Sequence, residues 1–91
     1  AVELAGDTPW THYQLGLAAA VANDFGTSAS AFARAAEIKP DLAYAHYYAG
    51  QAFQKQRRVA QAAEHYQRFL DLAPDSPDRS AVQAILRTLR K

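Results

Sequence analysis

Ninety-one residues limit the chain to one small domain, near the size at which a single core only just suffices. Hydrophobic residues make up 49%, alanine prominent among them, so a helical globular core is affordable and disorder is not expected. A net charge of +1 gives no global field for nucleic acid or acidic membrane, no apolar run approaches the roughly 18 residues of a membrane span, and the absence of cysteine rules out disulfides, zinc–thiolate sites and cysteine nucleophiles while leaving the redox compartment open.

The opening "AVELAGDTP" is too short and too acidic for a signal peptide. Thr8-Pro9 then supplies an N-cap and a proline at the first helical position. A helix is predicted near 8–22 through "WTHYQLGLAAAVA", where Gly16 is the only breaker. "NDFG" makes a turn, with Asn23 suited to a left-handed conformation. The second helix, near 25–38, places Phe25, Ala29, Phe32 and Ala36 on one apolar face. Pro40 stops it by pushing Lys39 out of the helical region. The cycle restarts with a helix near 42–55, turns at "RRV", and runs through another near 59–72 to the stop at "APD". "DSPDRSAVQAILRTLRK" predicts a fifth helix near 78–89, with Val82, Ile85, Leu86 and Leu89 on one face. No segment reads as a strand.

The cycle is an internal repeat. A shift of thirty-four residues aligns His12, Tyr13, Gly16, Ala18, Ala29, Arg34, Pro40 and Asp41 with identical residues at 46, 47, 50, 52, 63, 68, 74 and 75. Conservative pairs accompany them: Trp10 with Tyr44, Phe32 with Tyr66, Glu37 with Asp71, Ile38 with Leu72. The same shift matches Ala1, Glu3, Leu4 and Asp7 with Ala35, Glu37, Ile38 and Asp41. Residues 1–8 are therefore expected to be the tail of a preceding repeat, and the chain a fragment. Two antiparallel helices per unit, repeated, predict an all-α solenoid.

These units resemble the tetratricopeptide repeat, whose pattern runs Trp-x2-Leu-Gly-x2-Tyr, then Ala-x3-Phe, then Pro. The first unit answers with His12, Leu15, Gly16, Ala19, Ser28, Phe32 and Pro40. The second answers with His46, Ala49, Gly50, Phe53, Ala62, Tyr66 and Pro74. It departs from the pattern at both histidines, at Ala19, at Ser28 and at Ala49. The resemblance implies a right-handed α-solenoid with repeats over 9–42 and 43–76 and a C-terminal capping helix over 77–91. Gly16 and Gly50, with Ala29 and Ala63 opposite, are expected to let the helices of a hairpin approach closely. Phe32 and Tyr66 are expected to fill the space between hairpins. With a two-residue insertion at Ser76-Pro77, Leu86 falls at the glycine position and would block a further close helix. Arg87, Arg90 and Lys91 are left to water.

Catalytic and metal chemistry find little support. His12 and His46 sit one repeat apart on helices whose axes should be about 8–10 Å apart, whereas zinc needs nitrogens within about 2.1 Å and usually three protein ligands. His65 lies on the other helix type. Packing at the pattern's Trp position is the stronger reading of His12 and His46. Ser28, Ser30, Ser76 and Ser80 lack a nucleophile elbow or a nearby His–acid pair, and no glycine-rich phosphate loop is present. The expectation is a chain that is not an enzyme and needs no metal or cofactor. Lys55, Arg57 and Arg58 beside Tyr44, Tyr47 and Tyr48 have the ingredients of a single-strand nucleic-acid site, but the cluster is short and a solvated turn explains it. Nucleic acid and membrane are not expected partners.

The aromatic residues carry the functional expectation. Trp10, Tyr13, Leu17 and Val21 form one stripe, and Tyr44, Tyr47, Tyr48 and Gln51 its counterpart. The stripes of His12, Leu15, Gly16, Ala19 and of His46, Ala49, Gly50, Phe53 should pack within the hairpins. The resemblance implies that the first helix of each repeat lines a concave groove. Its carboxylate-gripping Lys, Asn and Arg would correspond to Tyr13, Leu17 and Tyr48, or to Gln14, Tyr44 and Tyr48, none of them cationic. Trp10, Tyr13, Leu17, Tyr44, Tyr47, Tyr48 and Gln51 are thus the expected partner-binding residues, suited to a neutral or apolar protein or peptide segment. The alternative is core packing by the same rings, with the chain serving self-association as a homo-oligomer or as an assembly element. Compartment is left open, a soluble cytoplasmic protein being the working expectation.

Overall fold

The computed structural model describes residues 8–90. The expected remnant over 1–8 therefore lies outside the described residues except for Thr8. Five helices follow one another: α1 Pro9–Val21, α2 Phe25–Ile38, α3 Ala43–Lys55, α4 Val59–Leu72 and α5 Arg79–Leu89. There is no strand among the described residues. Each helix packs chiefly on its neighbours in the chain, as in a helical solenoid. The described body spans 45 × 27 × 19 Å.

Local signals set the ends. The Thr8 side chain accepts from the Thr11 N–H at 3.2 Å, and Pro9 opens α1. After α1 the chain reverses through Asn23 at φ 62°. The Asp24 N–H returns to the Ala19 carbonyl at 2.8 Å, and the Asp24 side chain caps α2 by accepting from the Thr27 N–H. The second hairpin turns the same way through Arg57 at φ 63°, with the Arg58 N–H on the Phe53 carbonyl at 2.9 Å. Asn tolerates the left-handed region through its short polar side chain, whereas Arg pays the full Cβ penalty. Arg58 provides no side-chain cap either. Repeated packing thus imposes a turn that only the first copy's sequence favours.

The two glycines mark the hairpin crossings in a manner the sequence reading only half captures. A Cβ on Gly16 would stand 2.7–2.8 Å from three ring carbons of Phe32, and one on Gly50 3.1 Å from the ring of Tyr66. The aromatic ring of the second helix lies directly on the glycine of the first. Phe32 and Tyr66 therefore fill the hairpins themselves, rather than only the space between them. Phe32 also stacks on Tyr48 of the next hairpin at 5.3 Å. Ala29 is buried, but Ala63 is only half-buried. Ser28, where the pattern has Ala, is fully buried and donates its hydroxyl proton to the Gly16 carbonyl at 2.9 Å.

Small residues set the junction between hairpins: Ala35 and Ala36 of α2 cluster with Ala45 of α3. A second cluster joins α4 to α5 through Ala62, Tyr66, Phe69, Val82 and Leu86, with Ile85 and Leu89 alongside. The apolar face expected of the last helix is the face it buries. One expectation is overturned. Leu15, placed in the stripe packing within the hairpin, is 49% exposed. It belongs with Thr11 and Ala18, the α1 counterparts of Ala45, Ala49 and Ala52. Those three alanines are buried, whereas Leu15 and Ala18 of α1 are exposed.

Candidate interaction face

The expected partner-binding residues fall on α1 and α3, and their rings form one connected cluster. Trp10 meets Tyr13 edge-on at 6.3 Å, Tyr13 meets Tyr48 at 5.8 Å, and Tyr48 meets Tyr47 at 5.2 Å. Tyr44 closes the cluster against Tyr47 at 5.8 Å. Perpendicular rings set the positive edge of one against the negative face of the next, contributing about 0.5–1.5 kcal/mol per pair beyond burial.

Exposure divides the set. Trp10 is 55% exposed and Leu17 38%. Gln51 is also exposed, while Tyr13, Tyr44, Tyr47 and Tyr48 are half-buried. The buried edges have structural work: Tyr13 packs on Phe32, and Tyr44 and Tyr47 pack on Phe69. Tyr44 also ties down the chain between α4 and α5. Its hydroxyl donates to Asp78 Oδ2 at 2.9 Å and lies 3.0 Å from the Ser76 hydroxyl. Ser76, from the Ser76-Pro77 insertion noted in the sequence, supplies one of these two partners. Ring contacts thus hold the four tyrosines in place, and Trp10 and Leu17 project beyond them.

The face is uncharged over most of its length. Burial, then the neighbouring phenols, raises Tyr13 above the usual phenol range; burial, then Asp78, does the same for Tyr47. Both stay neutral at physiological pH. Where the face ends, Tyr48, Gln51, Phe25 and Lys55 border a cavity of about 30 Å³. The Lys55 ammonium stands 6.0 Å from the centre of the Phe25 ring there. Lys55, Arg57 and Arg58 are exposed around the α3–α4 turn.

His46 is buried, as packing at the pattern's Trp position implies, and it meets His65 of α4, a contact not foreseen, with Nδ1 atoms 3.1 Å apart. Residue 46 lies one turn before Gly50 and residue 65 beside Tyr66, so the two flank the same crossing, but only the rotation of the helices brings the rings together. Among the described residues no group of three His, Asp or Glu side chains is placed to hold a metal ion. No helix among them is long and apolar enough to cross a membrane.

A tetratricopeptide-repeat family model matches residues 43–76, the α3–α4 hairpin with its following loop. No curated protein matches the chain. The match over residues 43–76 and the five helices packed in series together support a repeat protein of the tetratricopeptide type.

Proposed function

We propose that the chain is a protein–protein interaction scaffold that holds a neutral or apolar segment of a partner against the aromatic face of α1 and α3. Tetratricopeptide repeats serve generally as protein-interaction modules and are typically non-catalytic. The finer reading rests on one observation: the Trp10 side chain is 55% exposed at the edge of a cluster of rings held by their own contacts. Large, rigid aromatic groups of this kind anchor partners with little loss of rotamer freedom. Leu17 extends the apolar strip, and Tyr13, Tyr44, Tyr47, Tyr48 and Gln51 supply its floor and rim. Capture of partners by the wild-type chain is to be compared with capture by Trp10→Ala/Leu17→Ala. Both side chains are exposed, so the variant should fold as the wild type does while losing its partner. Equal capture by an equally stable variant overturns the reading.

A second reading is favoured by Leu15. It stands thirty-four residues before Ala49, which is fully buried. The Leu15–Ala18 face of α1 could pair with the same face of a second copy. A mass that rises with concentration, and no longer does so in Leu15→Glu, selects this reading.

A further inference from the structure

His46 is 4% exposed, and both of its ring nitrogens have partners. Nε2 lies 3.2 Å from the carbonyl oxygen of Pro40, which can only accept, so Nε2 carries a proton. A neutral imidazole has one N–H, which leaves a lone pair on His46 Nδ1. His65 Nδ1, 3.1 Å away, is then the donor. Elimination assigns both tautomers of the neutral pair. The two ring centres lie 5.3 Å apart with 30° between their planes, and Phe53 stacks on His65 at 5.5 Å. One chain of hydrogen bonds therefore ties together α4, α3 and the loop that joins α3 to the first hairpin.

We propose that the His46–His65 pair is a proton-operated latch on the second hairpin and its junction with the first, closed when both rings are neutral and forced open when both are charged. A first proton is accommodated at His65 Nε2, because the Nδ1–H of that ring still donates to His46. A second can enter only at His46 Nδ1. That sets N–H against N–H at a 3.1 Å contact and places two like charges on adjoining rings. At least one ring must then leave its present place.

The surrounding groups bias the latch without removing it. On α4, Arg68 opposes protonation of both rings and Glu64 favours it. From α2, Glu37 borders the same cavity as the two histidines, and Asp71 of α4 and Arg90 just past α5 border a neighbouring one with His46. The loop contributes the Pro40 carbonyl and the mutually paired Lys39 and Asp41. Burial, the largest effect on each, holds both rings below the ordinary histidine value; the next largest is the Pro40 hydrogen bond opposing it for His46, and the charge of His46 adding to it for His65. In the unfolded chain both rings take up protons near their ordinary value of about 6.5. The stabilisation is therefore complete above about pH 6.5 and is lost as pH falls from there towards the lower folded values. The first hairpin carries Ala31 where the second has His65, so the device exists once. Because α3 also carries Tyr44, Tyr47 and Tyr48, opening the latch disturbs the aromatic face.

Two measurements on the full chain test this. Ring nitrogen NMR at pH 8 should find His46 as the Nε2–H tautomer and His65 as the Nδ1–H tautomer; His65 in the Nε2–H form overturns the latch. Thermal melts between pH 8 and pH 5 should show the wild-type Tm falling below about pH 6.5, and His65→Gln, which keeps a donor but cannot titrate, should lose at least about half of that fall. A His65→Gln variant whose Tm falls as steeply as the wild type's overturns the proposal.

Discussion

Three helical glycines meet three different surroundings, so one substitution, glycine to alanine, should have three different outcomes. Mid-helix, the change favours folding by about 0.8–1 kcal/mol, because alanine has the better helix propensity and a less mobile unfolded chain. At Gly16 this gain is outweighed. The new Cβ would stand 2.7–2.8 Å from Phe32 ring carbons, against an ordinary separation of about 3.5–4.0 Å. The ring has nowhere to go: it is fully buried, stacked on Tyr48 at 5.3 Å and edge-on to Tyr13 at 5.4 Å. Overpacking a site of this kind costs about 1–3 kcal/mol, leaving Gly16→Ala a net loss of up to about 2 kcal/mol. At Gly50 the approach is 3.1 Å, so Tyr66 must give by only a few tenths of an ångström, although its hydroxyl is held by Gln54 Oε1 at 2.8 Å. Cost and gain should roughly cancel there. At exposed Gly26 the nearest atom is the flexible end of Gln56 at 3.4 Å, and the propensity gain should appear as about 0.5–1 kcal/mol. Melting followed by circular dichroism would read these as shifts of about 4–8 °C per kcal/mol. The expected order is Gly26→Ala above wild type, Gly50→Ala near it and Gly16→Ala below. A Gly16→Ala variant that melts at or above the wild type refutes the argument that Phe32 is fixed on the glycine.

Gly50→Leu should destabilise more than Leu17→Ala, since the first forces a branched chain against Tyr66 while the second trims a side chain already 38% exposed; equal melting temperatures would place the crossing elsewhere. Arg57→Gly should raise the Tm, because a residue held at φ 63° without glycine's freedom is strained by roughly 1 kcal/mol. No gain on melting would show that the arginine side chain contributes as much as its backbone costs. Asp24→Ala should cost about 1 kcal/mol through loss of the N-cap bond to the Thr27 N–H, and chemical denaturation of the pair checks it.

The sequence by itself determined the helices and their order. Its period, its proline stops and its turn at Asn23 are local signals, and local hydrogen bonding obeys them: the expected spans differ from α1–α5 by a residue at some ends and at others not at all. It also determined the apolar face of α5, because Val82, Ile85, Leu86 and Leu89 recur at helical spacing. What only the tertiary structure decided are relations across helices, which no spacing along the chain encodes. Phe32 lies on Gly16, Tyr44 anchors the loop before α5, and His65 reaches His46; each depends on how two helices are rotated about their axes. Leu15 shows the limit most plainly. Its place in the repeat is that of buried Ala49, yet it is exposed, because burial is a property of what packs alongside and not of position in the repeat. The aromatic face belongs to both levels. Its residues could be named from the repeat, but how far each ring is used for packing, and how much of Trp10 is left for a partner, followed only from their arrangement in three dimensions.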